Sequence, residues 1–215
     1  LFQQSAKRVL GYDGLKFNPH IIVTNSHFRF IVKEQLQDVG INPGKIIIEP
    51  ESKNTAPAII AATIFAHKDK NDAVIIATPT DHVINDTKKF HQVIKTGLKE
   101  VENGKLVTFG ISPSYPETGY GYIKLKKSSS QGPSKVLKFI EKPDLILAQR
   151  MINEGNYLWN SGIFMFRAKD MISAFELYAK DIISKVVKSV DKSLEDLSFT
   201  KLDRGYWSNL KEISI

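Results

Sequence analysis

Short apolar runs alternate with helical patterns along the first half of the chain. HIIVTN (20–25) has the density of a strand. FRFIVKEQLQDVG (28–40) sets apolar residues at 28, 31, 32, 36 and 39, the spacing of one helix face, and Gly40 stops it. KIIIEP (45–50) is a second short apolar run. Thr55 can cap a third element that holds Pro57 in its first turn and continues AIIAATIFAHK. AVIIATP (73–79) is a strand, Asp86 or Thr87 opens a lysine-rich helix ending near Gly104, and LVTFGI (106–111) is the fourth strand. This rhythm predicts an α/β fold: a Rossmann-like, mostly parallel sheet flanked by helices and joined by right-handed crossovers.

Beyond residue 111 the rhythm changes. GYGYIKL (119–125), KVLKFIEKP (135–143) and YLWNSGIFMFR (157–167) are strand-like, with one short helix near 144–154. They predict an edge layer that closes over one end of the sheet. KDMISAFELYAKDIISKVVKSV (169–190) reads as one long helix, and SSSQGPS (128–134) as a surface turn inside a single domain spanning 1–215.

Composition narrows the function classes. The 215 residues are 42% hydrophobic and 25% charged, which suits a folded domain with a substantial core. With no cysteine, disulfides and thiolate metal sites are excluded. LFQQSAKRVL has no long apolar core, so no signal peptide is expected, and no apolar run approaches the ~20 residues that cross a bilayer. The expectation is a cytoplasmic protein without membrane partners. The net charge of +7 comes mostly from lysine scattered over helices and turns, without an aromatic–basic RNA motif. That argues against nucleic acid and for a solvated surface or a field that attracts small anions.

Five stretches carry candidate chemistry, four of them beside a plainer reading. Asp81 follows a strand that Pro79 ends, where open parallel sheets bind ligands. A carboxylate there can hold Mg²⁺, or it can be an Asx turn or a cap. EPESKNTAPA (49–58) puts Glu49 at a strand end and Asn54-Thr55 at a helix start, a natural phosphate or base contact. ETGYGYIKL (117–125) has glycines that admit a ligand to the backbone, or a bulge. FIEKP (139–143) sets an acid and a base at a strand end, or an ion pair at a turn, and Asn160-Ser161-Gly162 precede an apolar strand, as a site or as a capped turn.

Together PTDHVI, NTAPAIIAA, KLVTFGI with PETGYGYI, FIEKP and YLWNSGIFMFR resemble the mannose-1-phosphate guanylyltransferases, sugar nucleotidyltransferases of the bacterial GDP-mannose pathway. The resemblance covers residues 1 to about 190. It implies a nucleotide-diphospho-sugar transferase fold and a reaction in which mannose 1-phosphate attacks the α-phosphorus of GTP, giving GDP-mannose and pyrophosphate. It implies Mg²⁺ as cofactor, held by Asp81 and, from the LDRGYWSNL stretch, by Asp203. Glu49, Asn54 and Thr55 fall on the nucleotide side. Guanine presents two adjacent N–H donors that the Glu49 carboxylate could accept. Gly121 brings backbone to the mannose ring, Glu141 and Asn160 bond its hydroxyls, and Lys142 holds the sugar phosphate as a point charge. A homo-oligomer is compatible with this scaffold. Another sugar-1-phosphate nucleotidyltransferase, or a non-catalytic nucleotide-sugar-binding relative, stays open as an alternative.

The resemblance is incomplete at two places. The family has a Gly-rich loop with an arginine and then a Pro-Lys pair ahead of the helix that LFQQSAKRVL resembles. This sequence starts after both, so weak triphosphate binding is expected of it. Asp203 follows LEDLSFT almost at once, where the family has an intervening segment with further strands.

Overall fold

The strand–helix–strand pattern of the first half folds where the sequence puts it. In the computed structural model, which describes residues 1–11, 14–126 and 132–215, helix α1 (Phe2–Arg8) leads to β1 (Ile21–Asn25), α2 (Arg29–Gln37) and β2 (Lys45–Glu49). Strands β1 and β2 are parallel, with Ile21 opposite Lys45 and Asn25 opposite Glu49. The apolar residues read onto one face of α2 are only partly used. Leu36 is fully buried, whereas Phe28 and Ile31 stay about half exposed. Phe30, outside the predicted face, stacks edge-on against Phe199 at 5.5 Å.

Helix α3 (Thr55–Asp69) follows, capped by Asn54 rather than Thr55: the Asn54 side chain accepts the Thr55 amide at 2.8 Å. Then come β3 (Val74–Ala77), α4 (Thr87–Glu102) and β4 (Val107–Ile111). Asp86 caps α4 by accepting the Lys89 amide at 2.9 Å, an interaction worth about 1 kcal/mol. The second half adds β5 (Tyr122–Leu125), β6 (Val136–Ile140), α5 (Leu145–Glu154) and the eleven-residue β7 (Tyr157–Arg167). Asp144 caps α5, and Gly155 ends it in the left-handed conformation. Of the surface turn expected at 128–134, residues 128–131 lie outside those described.

Pairing in this half is antiparallel, which makes the whole a mixed sheet structure rather than a mostly parallel one. Strand β7 runs between β3 and β4 and opposes both, with Met165 paired to Ile76 on one edge and to Val107 on the other. Trp159 likewise pairs with Ile111 of β4 and Tyr122 of β5. Strands β3 and β5 therefore share one edge of β7, β3 at 164–167 and β5 at 157–159, and leave 160–163 open between them. β5 and β6 form the expected edge layer.

The helix read over 169–190 is two helices, α6 (Ala168–Tyr178) and α7 (Lys180–Asp191), broken at Ala179 with φ −143°. A straight 22-residue helix would span ~33 Å against ~22 Å for α3. The break lets Met171 and Phe175 of α6 and Ile183, Val186 and Val190 of α7 join the same core as Ile60 and Ile64 of α3. Two short strands follow, β8 (Leu194–Asp196) and β9 (Phe199–Lys201), and then α8 (Arg204–Trp207). They form a hairpin that adds β9 parallel to β2, giving a second sheet in the order β1-β2-β9-β8. No helix among the described residues is long and apolar enough to cross a membrane.

Candidate functional site

The open stretch of β7 is where the predicted sugar-side residues meet. Gly162 at φ 68° kinks the strand between its two partners, a conformation glycine adopts without penalty. A Cβ on Gly162 would lie 3.4 Å from Pro79 Cγ, so the loop after β3 passes directly over this kink. Gly121, just ahead of β5, accepts the Asn160 amide at 2.8 Å. A Cβ there would lie 2.8 Å from Glu141 Oε2 and 3.6 Å from Asn160 Cβ. Gly121, Glu141 and Asn160, 39 residues apart along the chain from first to last, thus form one contact group.

The Asn160 amide is oriented by neighbours that pattern reading did not single out. Its Oδ1 accepts the Thr108 hydroxyl and the Gly162 amide, both at 3.2 Å. Among the described residues its Nδ2 has no partner, so a donor is left for a ligand oxygen. Thr108 carried no signal in the sequence, since a strand threonine is ordinary; only the register of β4 on β7 brings it here. Glu141 and Lys142 make no ion pair among the described residues, which removes the plain reading of FIEKP as a surface salt bridge. Lys142 also takes φ 43°, and Asn54 takes φ 67°. Non-glycine residues in this region store about 1–3 kcal/mol of strain, and such strain clusters at ligand sites.

Asp81 caps no helix, since that role falls to Asp86. Its side chain is 80% exposed, its Oδ1 lies 3.9 Å from His82 Nε2, and its oxygens accept no hydrogen bond among the described residues. A hard oxygen donor with free lone pairs fits Mg²⁺, which is bound by one or two carboxylates together with waters and phosphates. Asp203 is placed differently. It is the cap of α8, its Oδ1 accepting the Tyr206 amide at 3.1 Å, so that oxygen is already engaged. Among the described residues no group of three or more His, Cys, Asp or Glu gathers to hold a metal.

On the predicted nucleotide side, Glu49 ends β2 with its Oε2 buried and without a hydrogen-bond partner among the described residues. Burial pushes its carboxyl above the ordinary glutamate range. A buried acceptor without a donor suits a ligand that brings N–H groups. The start of α3 is less open than its sequence suggests. The Thr55 amide goes to Asn54, the Ala56 amide to Ile213 O at 3.1 Å, and the Thr55 hydroxyl accepts the Ile215 amide at 3.1 Å. Asn54 and Ile213 therefore take up the first two amides of α3. The loop between Glu49 and Asn54 is tied to α8, with Trp207 Nε1 donating to Glu51 O at 2.7 Å and Ser208 Oγ donating to the Glu51 carboxylate. Lys53 pairs with that carboxylate at 3.2 Å.

A family model for nucleotidyl transferases matches residues 1–214. The chain belongs to the nucleotidyl transferase family. It is 40% identical over 195 residues to the xanthan biosynthesis protein XanB of Xanthomonas campestris pv. campestris (strain B100), covering 91% of this chain and 41% of that protein. It is 38% identical over 216 residues to a mannose-1-phosphate guanylyltransferase of Sinorhizobium fredii (strain NBRC 101917 / NGR234), covering 100% of this chain and 42% of that protein. The chain thus spans less than half the length of these curated relatives. Among solved structures, one titled a mannose-6-phosphate isomerase from Helicobacter pylori superposes with a TM-score of 0.84 at 27% identity, covering 99% of this chain and 80% of that one. The nucleotidyltransferase resemblance and the α/β fold read from the sequence are both borne out by these matches.

Proposed function

We propose that this nucleotidyl transferase chain carries the site that joins mannose 1-phosphate to the guanylyl group of GTP, releasing pyrophosphate and forming GDP-mannose. The relative named mannose-1-phosphate guanylyltransferase, matched along the full chain, supports the substrate pair. The observation that carries the site is the meeting of Gly121, Glu141 and Asn160 beside the Pro79 loop that presents Asp81.

The chemistry needs positioning more than a covalent group. A phosphate oxygen of mannose 1-phosphate forms a bond to the α-phosphorus of GTP as the bond to the β-phosphate oxygen breaks. The electron pair leaves with pyrophosphate, and the nucleophile carries no proton to remove. Glu141 and the Asn160 Nδ2 bond sugar hydroxyls, with Gly121 letting the ring approach the backbone. Lys142 offsets the charge of the sugar phosphate. Glu49 accepts the guanine N–H pair, with Asn54 and Thr55 bordering the nucleotide. Asp81 would hold Mg²⁺, which when bound would supply positive charge to offset that of the nucleotide phosphates. Asp203 would serve as a second carboxylate through Oδ2, which accepts no hydrogen bond among the described residues.

The test is release of pyrophosphate from GTP by the purified protein, with and without mannose 1-phosphate and Mg²⁺. Turnover is expected only with all three, and Asp81→Asn is expected to lower kcat about 100-fold with an unchanged melting temperature. Equal turnover with UTP and glucose 1-phosphate would remove both the guanylyl and the mannosyl assignment.

A further inference from the structure

Two backbone carbonyls bracket Asp81, and α1 holds both. Ser5 Oγ donates to Thr80 O at 3.2 Å, and an Arg8 Nη donates to His82 O at 2.9 Å. Both side chains are nearly sealed from solvent, Ser5 at 3% and Arg8 at 5% exposure. The helix is itself pinned. His91 of α4 hydrogen-bonds Arg8 O at 2.7 Å, and His20, next to β1, hydrogen-bonds Ala6 O at 2.9 Å. The Arg8 guanidinium sits 5.9 Å from the centre of the Phe90 ring. Burying a guanidinium is costly unless its donors are used. Here one of them goes to a loop carbonyl, and Arg8 forms no ion pair among the described residues. That is a poor arrangement for stability alone, because a carboxylate partner would compensate the charge better.

We propose that Ser5 and Arg8 are positioning residues for Asp81: by fixing the carbonyls immediately before and after it, they hold in place an exposed carboxylate whose oxygens accept no hydrogen bond among the described residues. This rests on the reading of Asp81 as the Mg²⁺ ligand. An exposed carboxylate on a free loop would have to be ordered each time a metal–nucleotide complex arrives, and ordering weakens binding. With both flanking peptides fixed from a buried helix, only the two side-chain torsions remain to be set. The arrangement explains why a serine and an arginine lie on the buried face of a seven-residue helix where apolar residues would pack as well.

The experiment compares Ser5→Ala, Arg8→Lys and Asp81→Asn with the unaltered protein. Binding of Mn²⁺ in the presence of GTP is followed by water-proton relaxation, and amide hydrogen exchange over 78–84 by mass spectrometry. Ser5→Ala removes one bond and few atoms, so it stays informative even if Arg8→Lys folds poorly. The expected result is faster exchange over 78–84 in both α1 variants, and about 10-fold more Mn²⁺ for half-saturation, as for other residues that orient a metal ligand. Asp81→Asn should weaken Mn²⁺ at least as much without faster exchange. If Asp81→Asn weakens Mn²⁺ and the α1 variants change neither quantity, the positioning role is overturned and the metal reading stands. If Asp81→Asn leaves Mn²⁺ binding unchanged, the metal reading falls and the proposal with it.

Discussion

Glu49 shows how one side chain can be costly to the fold and useful to the site. Its Oε2 is buried without a donor, and burial raises its pKa above the ordinary glutamate value. A raised carboxyl pKa means that the folded state holds the proton more tightly than the unfolded state does. The stability that Glu49 allows is therefore full below the unfolded pKa of about 4.5 and is lost as pH rises through the folded value. Glu49→Gln removes the ionisation, so the melting temperature at pH 7 should rise and its decline from pH 5 to pH 7 should flatten. Guanine nucleotide affinity should fall at the same time, because an amide offers one acceptor oxygen where a carboxylate offers two. Scanning calorimetry across that pH range, with GTP titrated into both proteins, reads the two effects separately. An unaltered pH profile would mean that Glu49 meets a donor in solution.

At the scale of elements, the sequence was most informative where period and punctuation agree. The runs at β1, β2 and β3 had only short apolar stretches and clear turn residues around them, and α4 and α5 carried Asp caps that fixed their starts. The break between α6 and α7 was illegible because Ala179 is a good helix former and the apolar spacing continues across it. The break places both helices on the core of α3, a tertiary fact that the sequence pattern does not carry. The antiparallel insertion of β7 between β3 and β4 was equally hidden, since YLWNSGIFMFR signals a strand but not its partners. The candidate site residues stood out as motifs, while the neighbours that contact them did not: Thr108, Ser5 and Arg8 reach them only through register and packing.

The same holds for α8. Trp207 is fully buried and its ring nitrogen secures the 50–54 loop, where Ser208 and then Lys53 also hold the Glu51 carboxyl below its usual range. Trp207→Phe keeps most of the apolar volume and deletes that bond. It should cost about 1–3 kcal/mol, a fall of roughly 2–10 °C in melting temperature. Circular dichroism melts showing no change would mean that the loop is secured by Ser208 and Lys53 alone.

For the whole molecule, the two sheets meet through α3. Ile21 and Val23 of β1 and Ile75 and Ala77 of β3 all pack against the core that α3 anchors, and each of these strands has one edge without a strand partner among those described. The residues assigned to the sugar cluster around β7 in one sheet, while Glu49 ends β2 and Asp203 follows the adjacent parallel strand β9 in the other. The proposed function assigns both sets to one ligand, a sugar and a base joined by phosphates, and that is the central claim. Calorimetric titration of GDP-mannose into the protein tests it most directly, beside UDP-glucose and with Glu141→Gln in parallel. The account predicts one-to-one binding of GDP-mannose in preference to UDP-glucose, weakened roughly 10- to 150-fold by Glu141→Gln, as for a lost hydrogen bond to a charged group. Equal binding of the two nucleotide sugars, or a Glu141→Gln variant that binds GDP-mannose as well as the unaltered protein does, would contradict it.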